Sequence, residues 1–186
     1  MPEYHRRLPH FHPEDTHLFI TWRLWGSLPA KRSFAVYPTA GHAFLAQDRA
    51  VDRPSSAPLW LKDPRIAELV AQTILIGDSE RNFYQLYAWV VMPNHVHLLI
   101  LPQIRVPVLL RWLQGSTVKR ANKILARTGQ PFWQEEFYDH YLRTPRQMSR
   151  TREYIEQNPV IAGLVSCAEE WLWSRAHGRA KPPAPP

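Results

Sequence analysis

Two β-rich runs separated by a Pro-Asn pair constrain this chain more than any other feature. Phe83 to Met92 is aromatic and β-branched, Pro93-Asn94 is a tight-turn signal, and His95 to Leu101 is apolar apart from its two histidines. The pattern predicts two strands joined as a hairpin. The same region holds the longest apolar stretch, Ala88 to Pro93 and then Val96 to Leu101. Broken by Pro, Asn and two His, it is too short and too polar to span a membrane.

The remaining elements read outward from that hairpin. His17 to Leu24 predicts a strand. Asp63-Pro64 reads as an N-cap and first helical position; Ile66, Leu69, Val70, Thr73 and Ile74 follow at helical spacing, and Gly77 is the expected stop. Val108 to Arg127 predicts an amphipathic helix with Leu109, Leu110, Leu113, Thr117, Ala121, Ile124 and Leu125 as its apolar stripe, ended by Gly129-Gln130-Pro131. Phe137 to Arg143 predicts a strand. Thr144-Pro145 opens a last helix, expected to run to Asn158 and stop at Pro159. Gly26 to Pro58 has no clear period and reads as a loop of a length that is usually functional or mobile. The order is strand, helix, strand, strand, helix, strand, helix. Its first six members match a ferredoxin-like split βαβ, an α+β fold with an antiparallel sheet and helices on one face. A C-terminal helix is added to it.

A chain of 186 residues fits one domain, and 45% hydrophobic residues can support its core. We divide it into a basic arm (1–16), a single domain (17–165) and a C-terminal extension with a Pro-rich tail (166–186). The net charge of +7 and the pI of about 9.9 favour a polyanionic partner without proving one. The single cysteine, Cys167, excludes an intrachain disulfide and a Cys-based zinc site. Met1 to Arg7 lacks the apolar core of a signal peptide, so the expected location is cytoplasmic and nucleoid-associated.

His95 and His97 carry the first chemical signal. Two apart on a strand, they point to the same face about 7 Å apart, while Val96 points into the core. Two imidazoles so placed can hold one borderline metal ion in their neutral form. The competing reading is a pair of histidines on a solvated sheet face. Tyr154 and Asn158 carry the second signal, being four apart and hence on one helix face. Asn can supply an oxygen ligand and Tyr an oxygen nucleophile, which needs help because its own pKa is near 10. Attack on phosphorus would leave a phosphotyrosine and a free 3′-hydroxyl, so the strand could be rejoined without ATP. Packing alone explains the same spacing, with Tyr154 on the sheet and Asn158 as a helix end.

Several segments together resemble one family. Met92-Pro-Asn-His-Val-His-Leu-Leu-Ile100, Phe132-Trp-Gln-Glu-Glu-Phe-Tyr-Asp-His140 and Tyr154-Ile-Glu-Gln-Asn-Pro-Val-Ile-Ala-Gly-Leu164 are similar to the IS200-like Y1 (HUH) transposases. So are Arg7-Leu-Pro-His10 and Phe19-Ile-Thr-Trp-Arg-Leu24, which look like the family's start. Within the family the chain looks closest to the REP-associated tyrosine transposases. The resemblance implies a ferredoxin-like catalytic domain, Mg²⁺ or Mn²⁺, and nicking and rejoining of single-stranded or hairpin DNA through a 5′-phosphotyrosine. By position it makes His95 and His97 metal ligands and Tyr154 the nucleophile. Asn158 takes the third-ligand place, where insertion-sequence members often carry Gln, which keeps the amide on a shorter arm. It implies no membrane partner and either a monomer or a homodimer.

Other residues compete or assist. Tyr138 and Tyr141 are alternative nucleophiles but would not share a strand face. Asp139 and His140 read as structural, DNA-contacting or supporting groups. Lys119, Lys123 and Arg127 recur every four residues with Arg120 beside them, and this face could follow phosphates or simply be solvated; the family resemblance adds that Ser116, with Lys119, lies near the bound strand. Arg6 and Arg7 could clamp a hairpin base, and Trp22, Trp25 and Trp133 are candidates for base stacking. Two other activities fit the same residues: a hairpin DNA- or RNA-binding protein that does not cut, and a metal-dependent phosphoesterase that uses water.

Overall fold

The computed structural model describes residues 15–27 and 57–177. The elements are β1 (Leu18–Arg23), α1 (Pro64–Ser79), β2 (Tyr84–Val91), β3 (His95–Pro102), α2 (Val106–Ile124), β4 (Tyr138–Tyr141) and α3 (Pro145–Ile161). Single 3-10 turns lie at Trp60–Lys62 and Ala168–Glu170. The strands form one sheet in the order β2-β3-β1-β4, and every neighbouring pair is antiparallel. β1 and β2 are therefore parallel with β3 between them, and α1 is the crossover. This is the expected split βαβ arrangement.

Strand alternation sends side chains to two separate cores. Leu18, Ile20, Trp22 and Leu24 near β1, with Val96, Leu98 and Ile100 of β3, pack against Ile66, Val70 and Ile74 of α1 and Leu109 and Leu113 of α2. Phe19 of β1, Leu99 of β3 and Ala88 and Val90 of β2 pack on the other side with Ile155 of α3. α1 and α2 thus cover one face, and α3 covers the second. Each fully buried Leu or Ile contributes about 1.5–3 kcal/mol.

Two helix starts follow the sequence. The Asp63 carboxylate accepts from the Arg65 amide at 3.0 Å, and Pro64 needs no partner at the first helical position. The Thr144 hydroxyl likewise accepts from the Gln147 amide at 3.2 Å ahead of α3. Each cap contributes about 1 kcal/mol.

Three helix ends differ from expectation. Gly77 does not stop α1, which continues to Ser79; Gly77 is needed where it lies because a Cβ there would sit 2.7 Å from Tyr84 Cζ. The Tyr84 hydroxyl donates to the Ile74 carbonyl at 2.6 Å, holding the ring against that bare backbone. Pro159 does not stop α3, since it forfeits one amide donor while the rest of the ladder continues to Ile161. The terminator is Gly163 at φ +69°, with Leu164 N donating to Pro159 O and Gly163 N to Val160 O, each at 2.9 Å. α2 begins at Val106 and ends at Ile124, before Arg127, because Ala126 turns left-handed at φ +54° and Arg127 N returns to Asn122 O at 2.8 Å.

The described part of the C-terminal extension closes the outer edge of β2. Val91 N donates to Trp173 O at 2.9 Å, Arg175 N to Trp89 O at 3.0 Å, and the Trp171 indole N–H to Val91 O at 3.0 Å. Pairing at this end of β2 occupies backbone groups that an open edge would offer to another chain. No helix among the described residues is long and apolar enough to cross a membrane. The arm with Arg6 and Arg7, most of the 26–58 loop and the Pro182–Pro186 tail lie outside the described residues.

Candidate active site on the second face of the sheet

The two histidines of β3 point to the face that α3 covers, and Val96 between them points to the α1/α2 core. Both imidazoles are fully buried, so they do not line a solvated face. Their Nε2 atoms are 3.0 Å apart, with ring planes inclined at 70°. The outer nitrogens explain why. His95 Nδ1 lies 2.7 Å from Asn94 Oδ1, an acceptor, so Nδ1 carries the proton and Nε2 keeps its lone pair. His97 Nδ1 lies 2.7 Å from Thr21 Oγ1, its register partner on β1. A hydroxyl can accept there, leaving the second Nε2 lone pair aimed at the first. Outer partners that fix the tautomer in this way are characteristic of metal-ligating histidines.

α3 completes the cluster. Asn158, 1% exposed, places its side-chain amide 3.3 Å from His97 Nε2. A half-turn of that amide exchanges nitrogen for oxygen, the atom that can ligate a cation. One turn earlier on the same helix face, the half-buried Tyr154 ring lies 5.7 Å from the His97 ring and 6.2 Å from Phe19, centroid to centroid.

The donor set fits a small divalent ion. The two Nε2 atoms, 3.0 Å apart, are close enough to ligate one ion. Among the described residues no group of three or more His, Cys, Asp or Glu is placed to hold a metal, so the third protein donor available is Asn158.

The competing tyrosines separate as strand alternation requires. Tyr138 lies opposite Thr21 and shares the face of the histidines; Tyr141 lies opposite Leu18 on the α1/α2 face. Burial, helped by Asp139, pushes the Tyr138 hydroxyl up to about 12, which keeps it protonated. The Tyr141 hydroxyl accepts from Arg143. His140 lies opposite Phe19 on the surface, where partial loss of solvent around its ring, together with Arg143, lowers its pKa. Asp139 points the other way, opposite Ile20.

The basic stripe lies elsewhere. Ser116, Lys119, Arg120 and Lys123 are exposed on the outer side of α2, with the sheet between them and the histidines. Arg127 falls beyond the helix end, and its guanidinium stacks 3.7 Å over the Trp60 ring. Trp22 and Trp133 are core residues, 1% and 8% exposed, packed edge to face, so they offer no stacking platform. Trp25 is 49% exposed. Sequence reasoning missed three residues around the pair: Thr21, Asn94 and the buried Arg23 opposite His95. Asn94 read only as a turn residue. Thr21 and Arg23 carried no local signal, because their roles depend on β1 pairing with β3.

Comparison with known proteins shows the family and the fold. A family model described as "Transposase IS200 like" matches residues 62–158, from the turn before α1 through Asn158. A Haemophilus influenzae protein named "Putative REP-associated tyrosine transposase" is 26% identical over 110 residues, covering 53% of this chain. The match spans 62% of that protein's length. A solved REP-associated tyrosine transposase bound to a REP hairpin shares the fold, with a TM-score of 0.56 at 19% identity, covering 94% of this chain and 82% of that one. With the family model matching just over half of its 186 residues, this chain belongs to the IS200-like transposase family.

Proposed function

We propose that this protein nicks and rejoins single-stranded DNA next to a hairpin, through a 5′-phosphotyrosine on Tyr154, using Mg²⁺ or Mn²⁺ held by His95, His97 and Asn158. The observation that carries the reading is the convergence of two imidazole Nε2 atoms, 3.0 Å apart, beneath the helix that bears Tyr154. The cation, when bound, supplies Lewis-acid polarisation of the scissile phosphate. Asn94 and Thr21 hold the imidazoles as lone-pair donors. The Tyr154 oxygen attacks phosphorus in line and gives up its proton, the P–O3′ bond breaks, and the departing 3′-oxygen is protonated. Reversal restores the strand, because the phosphodiester is exchanged rather than hydrolysed. His97 meets His95, Asn158 and Tyr154 within this one chain. A hairpin substrate is supported by the solved relative, which is bound to one.

One observation favours a second reading, a hairpin-binding protein that does not cut: the histidines have no exposed surface, so a phosphate reaches them only if the groups packed over them move. A labelled hairpin oligonucleotide with single-stranded flanks, incubated with Mn²⁺, separates the possibilities. The expected result is a denaturation-resistant protein–DNA adduct that disappears in Tyr154→Phe while hairpin binding persists. Tight binding without an adduct supports the second reading. Free cleaved product from Tyr154→Phe would mean that water is the nucleophile.

A further inference from the structure

The stretch Arg143-Thr-Pro-Arg-Gln-Met-Ser-Arg150, which leads into Tyr154, carries three arginines and no acidic residue. All three arginines are exposed. α3 turns Met148 and Ile155 onto the sheet, which leaves its other sides to solvent. Arg146, Arg150 and Tyr154 recur every fourth residue, so they form one row along the helix. Arg150 lies one turn, about 6 Å along the axis, ahead of Tyr154. Arg143 precedes the helix and is tied to it, its backbone N donating to Gln147 Oε1 at 2.7 Å. Its guanidinium is held 4.7 Å over the Tyr141 ring and donates to the Tyr141 hydroxyl. Beside it a cavity of about 500 Å³ opens between the end of β4 and the start of α3, lined by Tyr141, Arg143, Thr144 and Met148. That volume is of the size that takes a group such as a nucleotide.

Exposed arginines often do no more than solvate a helix, or support it through pairing. Pairing does not account for these. Of the two acids on α3, Glu156 is taken by Arg152 at 2.9 Å. Among the described residues no ion pair involves Arg143, Arg146 or Arg150. Helix stability does not account for them either. Arg146 lies in the first turn, which holds no acidic residue, and a cation there works against the helix dipole. Three like charges so placed are compensated when a polyanion lies along them. We propose that Arg143, Arg146 and Arg150 bind phosphates of the single-stranded segment next to the bond attacked by Tyr154, their planar forks meeting non-bridging oxygens. α3 then carries both the nucleophile and the track that leads the strand to it. This rests on the reading of the site as a strand-nicking centre.

The test uses the full chain and two oligonucleotides, a hairpin with single-stranded flanks and the same hairpin without them. Binding is read by fluorescence anisotropy in EDTA over a range of salt, so neither metal nor turnover enters. Wild type should bind the flanked hairpin more tightly and with the steeper salt dependence. Replacing Arg143, Arg146 or Arg150 by Gln should each weaken binding of the flanked hairpin about 2- to 5-fold, the scale of an exposed ion pair. Each should also lower the salt slope by about 0.7, the single-strand value for one phosphate. Binding of the bare hairpin should not change. Arg150→Lys should keep the slope, and Arg81→Gln, exposed beyond the end of α1, should alter neither oligonucleotide's binding. Equal losses on both oligonucleotides overturn the proposal, because they assign the arginines to the stem or to unspecific attraction. So does an unchanged slope in the triple variant, or a wild type indifferent to the flanks. If loss of the Tyr141 contact makes Arg143→Gln misfold by circular dichroism, the Arg146→Gln/Arg150→Gln pair decides by the same readout. A parallel wild-type adduct assay separates the two readings. Adduct with arginine-independent flank binding removes this proposal alone. Arginine-dependent flank binding without an adduct removes the nicking reading and upholds the single-strand contact on α3.

Discussion

Replacing Thr21 by Val isolates the link between sheet pairing and metal chemistry. Thr21 and His97 are both fully buried, and their side chains meet at 2.7 Å. Valine preserves the shape but removes the hydroxyl, leaving His97 Nδ1 facing a methyl group. An unpaired buried polar atom costs about 1–3 kcal/mol. At about 2–4 °C per kcal/mol for a chain of this size, the midpoint of thermal unfolding in EDTA should fall by about 2–12 °C. The same loss frees the imidazole proton to move to Nε2, where it competes with a cation. Removing such an outer partner typically weakens metal binding 10- to 100-fold, which corresponds to about 1.4–2.8 kcal/mol. Calorimetric titration with Mn²⁺, alongside melts with and without metal, measures both effects. Thr21→Ser, which keeps the hydroxyl, should stay near wild type. A Thr21→Val protein with a lower melting point but Mn²⁺ affinity within twofold of wild type would show that His97 is not a ligand.

Other expectations follow from specific contacts. Gly77→Ala should destabilise by about 1–3 kcal/mol in denaturant titrations despite the better helix propensity of alanine, because the new Cβ meets the Tyr84 ring. A neutral or stabilised variant would mean that the ring moves freely. Tyr138 has its pKa raised to about 12 by burial. Its contribution to stability is therefore complete below pH 10 and is lost as pH climbs from 10 towards 12. Tyr84, raised by burial as well, acts in the same direction. The alkaline limb of a pH–stability curve should flatten in Tyr138→Phe, and an unchanged limb would contradict the assignment. Replacing Lys119, Arg120 or Lys123 by Ala should each reduce the salt dependence of hairpin binding by about one unit of slope if α2 follows phosphates. Because α2 lies across the sheet from Tyr154, adduct formation at saturating DNA should be unaffected.

Much of the architecture was legible in local patterns. The Pro93-Asn94 turn and the alternation on either side announced the hairpin, and Asp63-Pro64 and Thr144-Pro145 announced two helix starts. These signals act over a few residues, through backbone sterics and capping, so they survive without knowledge of the fold. Helix ends were less legible for an equally physical reason. Gly77 and Pro159 look like breakers, but one is excused by the Tyr84 ring across the chain and the other by a single missing donor within a packed helix.

The candidate site divides along the same line. His95, His97, Tyr154 and Asn158 each sit at the period of their own element, two on a strand and four on a helix, but that spacing suits packing equally well, and it was the resemblance to the IS200-like transposases that singled them out. Only the tertiary structure decided that the pairs meet: β1 inserts between β3 and β4, Thr21 reaches His97 across 76 positions of sequence, and α3 folds over the second face. It also decided that Lys119, Arg120 and Lys123 lie on the far side and that Arg23 lies beside the histidines. Periodicity is imposed by neighbouring backbone units and is written into the sequence. The partner of a strand and the face that a helix covers are settled by burying all the apolar surfaces at once, and no short stretch of chain carries that information.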